Sequence, residues 1–154
     1  MNEEKLKIKV GLSGTYWGDK TPEYAILFDG VTLVTASIVG VSGEIVTVEL
    51  DVEASEGAHT IAIQLLNKDP ATDVVKNADD SVAKDMLLNI ESIEIDDIDL
   101  GNLRYTMSKY QLDKKQLYNN QITDQIDNCV NLGFNGRYIL EFSSPFYIWL
   151  LENM

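Results

Sequence analysis

Val46–Leu65 reads VTVELDVEASEGAHTIAIQL, and its rhythm decides the architecture. Val46, Val48, Leu50 and Val52 fall on one side of an extended chain, and Thr47, Glu49, Asp51 and Glu53 on the other. Glu56-Gly57 turns the chain, after which Ile61, Ile63 and Leu65 alternate with Thr60, Ala62 and Gln64. Successive side chains of a strand point to opposite faces, so a one-residue slip would drive carboxylates into the core. Both runs are therefore read as half-buried strands, each with an unambiguous inner face.

The same period of two runs through most of the chain. Leu6, Ile8 and Val10 alternate with lysines. EYAILFDG ends in Asp29-Gly30 and VTLVTASIV resumes after it, a two-residue hairpin signal because a type I′ turn needs positive φ at both central residues. Leu88 and Ile90 share a face, but Ile93 and Ile95 follow out of phase, which predicts a β-bulge near Glu91-Ser92. IDDIDLGNL reads as a turn and a short edge segment. Ser108 to Asn128 is a long polar excursion, Asn135-Gly136 is a second hairpin signal, and the chain closes on the apolar run Phe146–Leu151.

Helix signals are weak throughout. The expectation is an all-β fold: one antiparallel β-sandwich over residues 1–154, jelly-roll-like, with the polar excursion and an apolar C-terminal strand.

Composition narrows the chemistry. A net charge of −13 argues against phosphate-mediated binding of nucleic acid and against anionic membrane surfaces. It suits solubility, a neutral partner such as a glycan, or a cation. The one cysteine, Cys129, excludes an internal disulfide, and no apolar run reaches the roughly 18 residues of a membrane span. The opening MNEEKLKIKV lacks the apolar core of a signal peptide. His59, the single histidine, reads as structural rather than as the base of a catalytic dyad with Cys129. No phosphate-binding glycine motif and no zinc spacing occur, so the chain is read as non-enzymatic.

Asn67–Asp85, NKDPATDVVKNADDSVAKD, holds five aspartates in a loop-like segment between two strand candidates. Calcium takes six to eight oxygens from carboxylates and carbonyls. Asn67, Asp69, Asp73, Asp79, Asp80 and Asp85 are candidate ligands, although Lys68, Lys76 and Lys84 suit an ordinary solvated loop equally well. Tyr16 and Trp17, in SGTYWGD, either stack against a sugar ring or cap one end of the sandwich, and capping is the favoured reading for Trp17.

AHTIAIQLLNKD (Ala58–Asp69) followed after a loop by KDMLLNIESIEIDDIDL (Lys84–Leu100) resembles the core of calcium-dependent xylan-binding carbohydrate-binding modules. LKIKVGLSG and YAILFDGVTL resemble that family's opening strand and its hairpin. The resemblance spans about Leu6 to Leu100, so residues 1–104 are expected to form the module-like core and 105–154 an extension completing the sheet or an interface. It implies that Asn67 with Asp69 matches the family's Asn-Asp pair and that Asp85 matches the Asp of its second motif. Two departures stand out: Lys68 is inserted in the pair, and Met86-Leu87-Leu88 replaces Arg-Asn-Leu. A lysine amine pointing inward would occupy the cation's place.

LGFNGRYILEFSSPFYIWLLENM resembles segments of small bacteriophage virion proteins that carry such a sandwich. That resemblance implies a virion structural protein, a capsid decoration, neck or fibre part. Such a part is made in the host cytoplasm. It partners with other virion proteins or with itself as a homo-oligomer, through Phe146, Tyr147, Trp149 and Leu150. The alternative is a free-standing calcium-dependent carbohydrate-binding module.

Overall fold

The computed structural model describes residues 3–79 and 81–154. In chain order the first elements are β1 (Glu3–Thr15), β2 (Glu23–Phe28), β3 (Val31–Ser37), β4 (Val46–Ser55) and β5 (Gly57–Leu65). A short ribbon follows, β6 (Val74–Lys76) and β7 (Val82–Asp85), then β8 (Leu87–Ile95) and β9 (Ile98–Asp99). One helical turn, α1 (Leu103–Thr106), leads to β10 (Ser108–Tyr118), β11 (Gln121–Asp127), β12 (Asn131–Leu132), β13 (Gly136–Ser144) and the helix α2 (Phe146–Asn153).

The strands form an antiparallel, jelly-roll-like sandwich. One sheet runs β12-β8-β1-β4 with β9 on β8, and the other runs β11-β10-β13-β5-β2-β3. Both contribute to one core, in which Ile8, Leu12, Ile26, Ile63, Ile93 and Phe142 are fully enclosed. The alternation read in Val46–Leu65 places Leu50, Val52, Ile61, Ile63 and Leu65 inside. Gly11 pairs with Ser92 and Leu12 with Ile90, so Glu91 is the extra residue of a bulge that keeps Leu88, Ile90, Ile93 and Ile95 all buried.

Asp29-Gly30 makes its hairpin, both residues at positive φ (50° and 80°). Asp96-Asp97 and Asn119-Asn120 do the same for β8–β9 and β10–β11, each with φ of 50° and 64°. Asp and Asn tolerate this region because their short side chains bond locally. Three expectations are corrected. The polar excursion is a hairpin, β10–β11, with a register shift between Gln111 and Gln116; its β10 pairs with β13 as far as Leu112, and the rest projects beyond β13. Asn135-Gly136 is no hairpin: β12 and β13, on either side of it, lie in different sheets. Gly136 is needed for close approach, since a Cβ there would lie 2.4 Å from Gln111 O and 2.9 Å from Leu112 Cα.

The third correction concerns the tail, which is a helix and not a strand. Phe146, Trp149 and Leu150, at i, i+3 and i+4, are buried, while Tyr147, Ile148 and Leu151 face outward. Short apolar runs do not distinguish the two periods, and here the helical one wins because it seats Phe146 and Trp149 on Phe142. Glu4 Oε1 caps the helix, accepting from the Phe146 N–H at 2.7 Å and the Ser144 hydroxyl at 2.6 Å. β13 lies between β5 and β10, so the C-terminal part is woven into the middle of its sheet.

His59 is 7 % exposed and stacks on Phe28. Its Nδ1 lies 2.6 Å from Asp29 Oδ2 and its Nε2 2.5 Å from the Ser55 carbonyl. Both partners accept, so only the doubly protonated ring satisfies both. Burial works against that charge, but the two hydrogen bonds and the charges of Asp29 and Glu4 outweigh it, and the pKa is raised.

Two predictions follow from this packing. A group with a raised folded pKa stabilises fully below its unfolded value, near pH 6.5, and loses that contribution as pH rises through the folded value. The urea midpoint of the protein should fall from about pH 6 to about pH 8, and the fall should be absent in His59→Gln. Equal slopes in the two proteins would contradict the pairing. Gly136→Ala should cost about 1–3 kcal/mol in urea unfolding because the clash is with backbone that cannot rotate away. An unchanged midpoint would show that β10 and β13 are further apart than described.

Candidate functional site

The acidic segment is not a simple loop. It contains the ribbon β6–β7, with Val74 paired to Asp85 and Val75 to Lys84. At its tip Asp79 Oδ1 accepts from the Ser81 N–H and hydroxyl, and the Ser81 hydroxyl is the main reason its pKa is lowered. Asp80 lies outside the described residues.

The base of the segment is organised by lysines. Lys68 leaves the end of β5 with its side chain 1 % exposed. Its ammonium donates to Asp85 Oδ1 and to the Met86 carbonyl, the latter at 2.6 Å. The Lys68 main chain is clamped by Asn135, whose Oδ1 accepts its N–H at 2.7 Å and whose Nδ2 donates to its carbonyl at 2.9 Å. Asp73, 5 % exposed, accepts from the Lys20 ammonium at 2.5 Å and from the Asp69 N–H at 2.7 Å. Burial pushes the Asp73 carboxyl up, but those bonds and the charges of Lys20 and Lys68 prevail, and its pKa is lowered.

Asn67 and Asp69 are spent on the main chain. Asn67 Oδ1 accepts the Glu23 N–H and its Nδ2 donates to the Thr21 carbonyl, which ties the β1–β2 connection to the end of β5. Asp69 Oδ1 accepts the Ala71 N–H. The described acids of the segment therefore do not converge on one point. Among the described residues no group of three or more His, Cys, Asp or Glu side chains is placed to share a metal. Among the described candidates, Asp73 and Asp85 already hold ammonium groups and Asn67 and Asp69 hold main-chain groups, so these residues do not present the six to eight free oxygens that calcium takes.

Two open grooves flank Asp85-Met86-Leu87. One, about 290 Å3, is lined by Tyr16, Trp17 and Lys20 together with Thr72, Asp73 and Met86. Tyr16 packs on the core and donates its hydroxyl to the Gly40 carbonyl at 2.6 Å. Trp17 is only half-buried and carries the Lys84 ammonium 5.8 Å from its ring centre. The capping reading thus suits Tyr16, while Trp17 faces the groove.

The second groove, about 430 Å3, is lined by Asp85 and Leu87, the neighbours of Met86. Tyr105 and Tyr118, 43 % and 41 % exposed, stand in its walls with Asp85, Asn128, Asn131 and Gly133. Its floor includes Tyr110, whose buried hydroxyl bonds both to the Phe134 carbonyl and to the Phe134 N–H. Burial raises the Tyr110 pKa well beyond that of an ordinary phenol, so it stays neutral. Cys129 also lines this groove; burial raises its thiol pKa, and its Sγ donates to the Asn131 carbonyl. Lys20, Asn135, Tyr105 and Tyr118 were not singled out in the sequence. Only Asn135 sat in a motif, and for another reason.

Of the tail residues expected at an interface, Phe146, Trp149 and Leu150 lie in the core, while Tyr147 is 53 % exposed.

No family model matches the chain, and no curated protein matches it. The fold is similar to that of vCBM60 in complex with galactobiose, with a TM-score of 0.51 and 14 % identity over 89 % of this chain and 97 % of that one. It is similar also to a second vCBM60 structure, described with two families of calcium-dependent carbohydrate binding modules. There the TM-score is 0.50 and the identity 14 % over 88 % of this chain and 89 % of that one.

Proposed function

We propose that the chain is a non-catalytic glycan-binding module that takes neutral sugar at the end of the sandwich around Asp85-Met86-Leu87. The observation that carries this reading is the Tyr105–Tyr118 groove: two exposed aromatic rings beside a carboxylate and two side-chain amides. A pyranose offers an apolar C–H face and a rim of hydroxyls. Aromatic walls take the face, and Asp85, Asn128 and Asn131 are suited to the rim. The Trp17 groove offers a second aromatic wall a few residues away. A fold shared with a module bound to galactobiose supports the substrate class.

Binding without catalysis is favoured by the state of the acids. Glycoside cleavage needs one carboxyl kept protonated near neutral pH. Asp73 is held ionised by Lys20, and Asp85 is bonded to the Lys68 ammonium. The virion reading rested chiefly on the C-terminal resemblance, to which the structural neighbours add nothing; of the four tail residues expected at an interface only Tyr147 is exposed, while Phe146, Trp149 and Leu150 serve the core.

Calorimetry and NMR titration with galacto- and xylo-oligosaccharides test the proposal. Saturable binding is expected, weakened about fivefold by Tyr118→Ala or Tyr105→Ala, the loss of roughly 1 kcal/mol of stacking. Trp17→Ala reports on the neighbouring groove. Absence of heat and of shift changes with every sugar would contradict the reading, as would release of shorter oligosaccharides on incubation.

A further inference from the structure

We infer that Lys68 is a tethered cation. Its buried ammonium, with that of Lys20, supplies the positive charge that a divalent ion would bring to this cluster of acids, and the sugar-facing end of the molecule is organised without metal.

The charges at the base of the segment are those of Asp69, Asp73 and Asp85 against Lys20 and Lys68. Two ammonium groups carry the charge of one divalent cation. Lys68 also fills the cation's mechanical role, since it links parts of the chain distant in sequence: the exit of β5, the junction of β7 with β8 and, through Asn135, the approach to β13. An ammonium brought this far from water is costly unless carboxylate and carbonyl partners come with it, so its position is specified by the fold. Asp85 Oδ1 is fixed by that bond, and the same residue lines the Tyr105–Tyr118 groove. Lys68 is thus a positioning residue for Asp85. A metal entering here would have to displace a covalently attached competitor from both the Asp85 carboxylate and the Met86 carbonyl.

The experiment compares the full chain, Lys68→Met, Asp85→Asn and the double variant by thermal melting, in EDTA and in millimolar calcium chloride. Terbium luminescence sensitised by tryptophan is measured alongside. For the unaltered chain the two melting curves should coincide and terbium should give no saturable emission. Lys68→Met should lower the melting temperature by about 5 °C or more in both buffers, since it strands a partly buried carboxylate. Removing that carboxylate as well, in the double variant, should recover part of the loss. A rise in melting temperature of the unaltered chain with calcium, saturable terbium emission, or a Lys68→Met curve matching that of the unaltered chain would each overturn the inference. If Lys68→Met does not fold, the calcium and terbium arms on the unaltered chain still decide. No sugar enters any arm, so the outcome stands apart from that of the glycan titrations.

Discussion

A lysine ammonium enters a protein interior only with its counter-charge and its hydrogen-bond acceptors alongside it, and the functional end of this molecule is arranged around that demand at Lys68. Asp85 and the Met86 carbonyl satisfy the ammonium, and the Asn135 amide closes on the main chain of the same residue. The strand that leaves the core at Leu65, the ribbon that returns through Asp85 and the segment that enters β13 are thereby held at one point. Met86 lines one aromatic groove and Asp85 the other, so both are anchored by this contact although Lys68 itself lines neither.

The sandwich supplies the rigid frame for that contact. β13 is inserted between β10 and β5, and Gly136 lets it approach β10 so closely that Asn135 is carried to the end of β5. The bulge at Glu91 keeps Leu88, Ile90, Ile93 and Ile95 of β8 on the inner face, and β8 opens directly after Met86. At the other end α2 closes the core with Phe146 and Trp149 against Phe142. Its apolar side chains serve packing first, which leaves Tyr147, Ile148 and Leu151 outside.

Much of the fold was legible because the alternation of Val46–Leu65 is clean and charge forbids the other register. The bulge was legible for the same reason, as a single break in phase. The tail was not, since Phe146, Trp149 and Leu150 satisfy a helix as readily as a strand and only the tertiary seat on Phe142 decides. The polar excursion concealed β10–β11 because its exposed strands carry few apolar residues, and Asn119-Asn120 signals a tight turn less loudly than Asp29-Gly30. At the site, Asp85 and Trp17 stood out by type and spacing. Lys68 was noticed as an insertion, but whether it pointed inward depended on Asn135, distant in sequence. Tyr105 and Tyr118 acquire meaning only when the projecting hairpin sets them beside Asp85.

The central claim is that an amine, and not a metal ion, sits among these carboxylates. A crystal structure from crystals grown with calcium, with anomalous differences collected at a wavelength sensitive to that element, measures it directly. The account predicts continuous density from the Lys68 side chain to Asp85 and the Met86 carbonyl, with no anomalous peak between them. A peak surrounded by six to eight oxygens at about 2.3–2.6 Å, with Lys68 turned away into solvent, would contradict it.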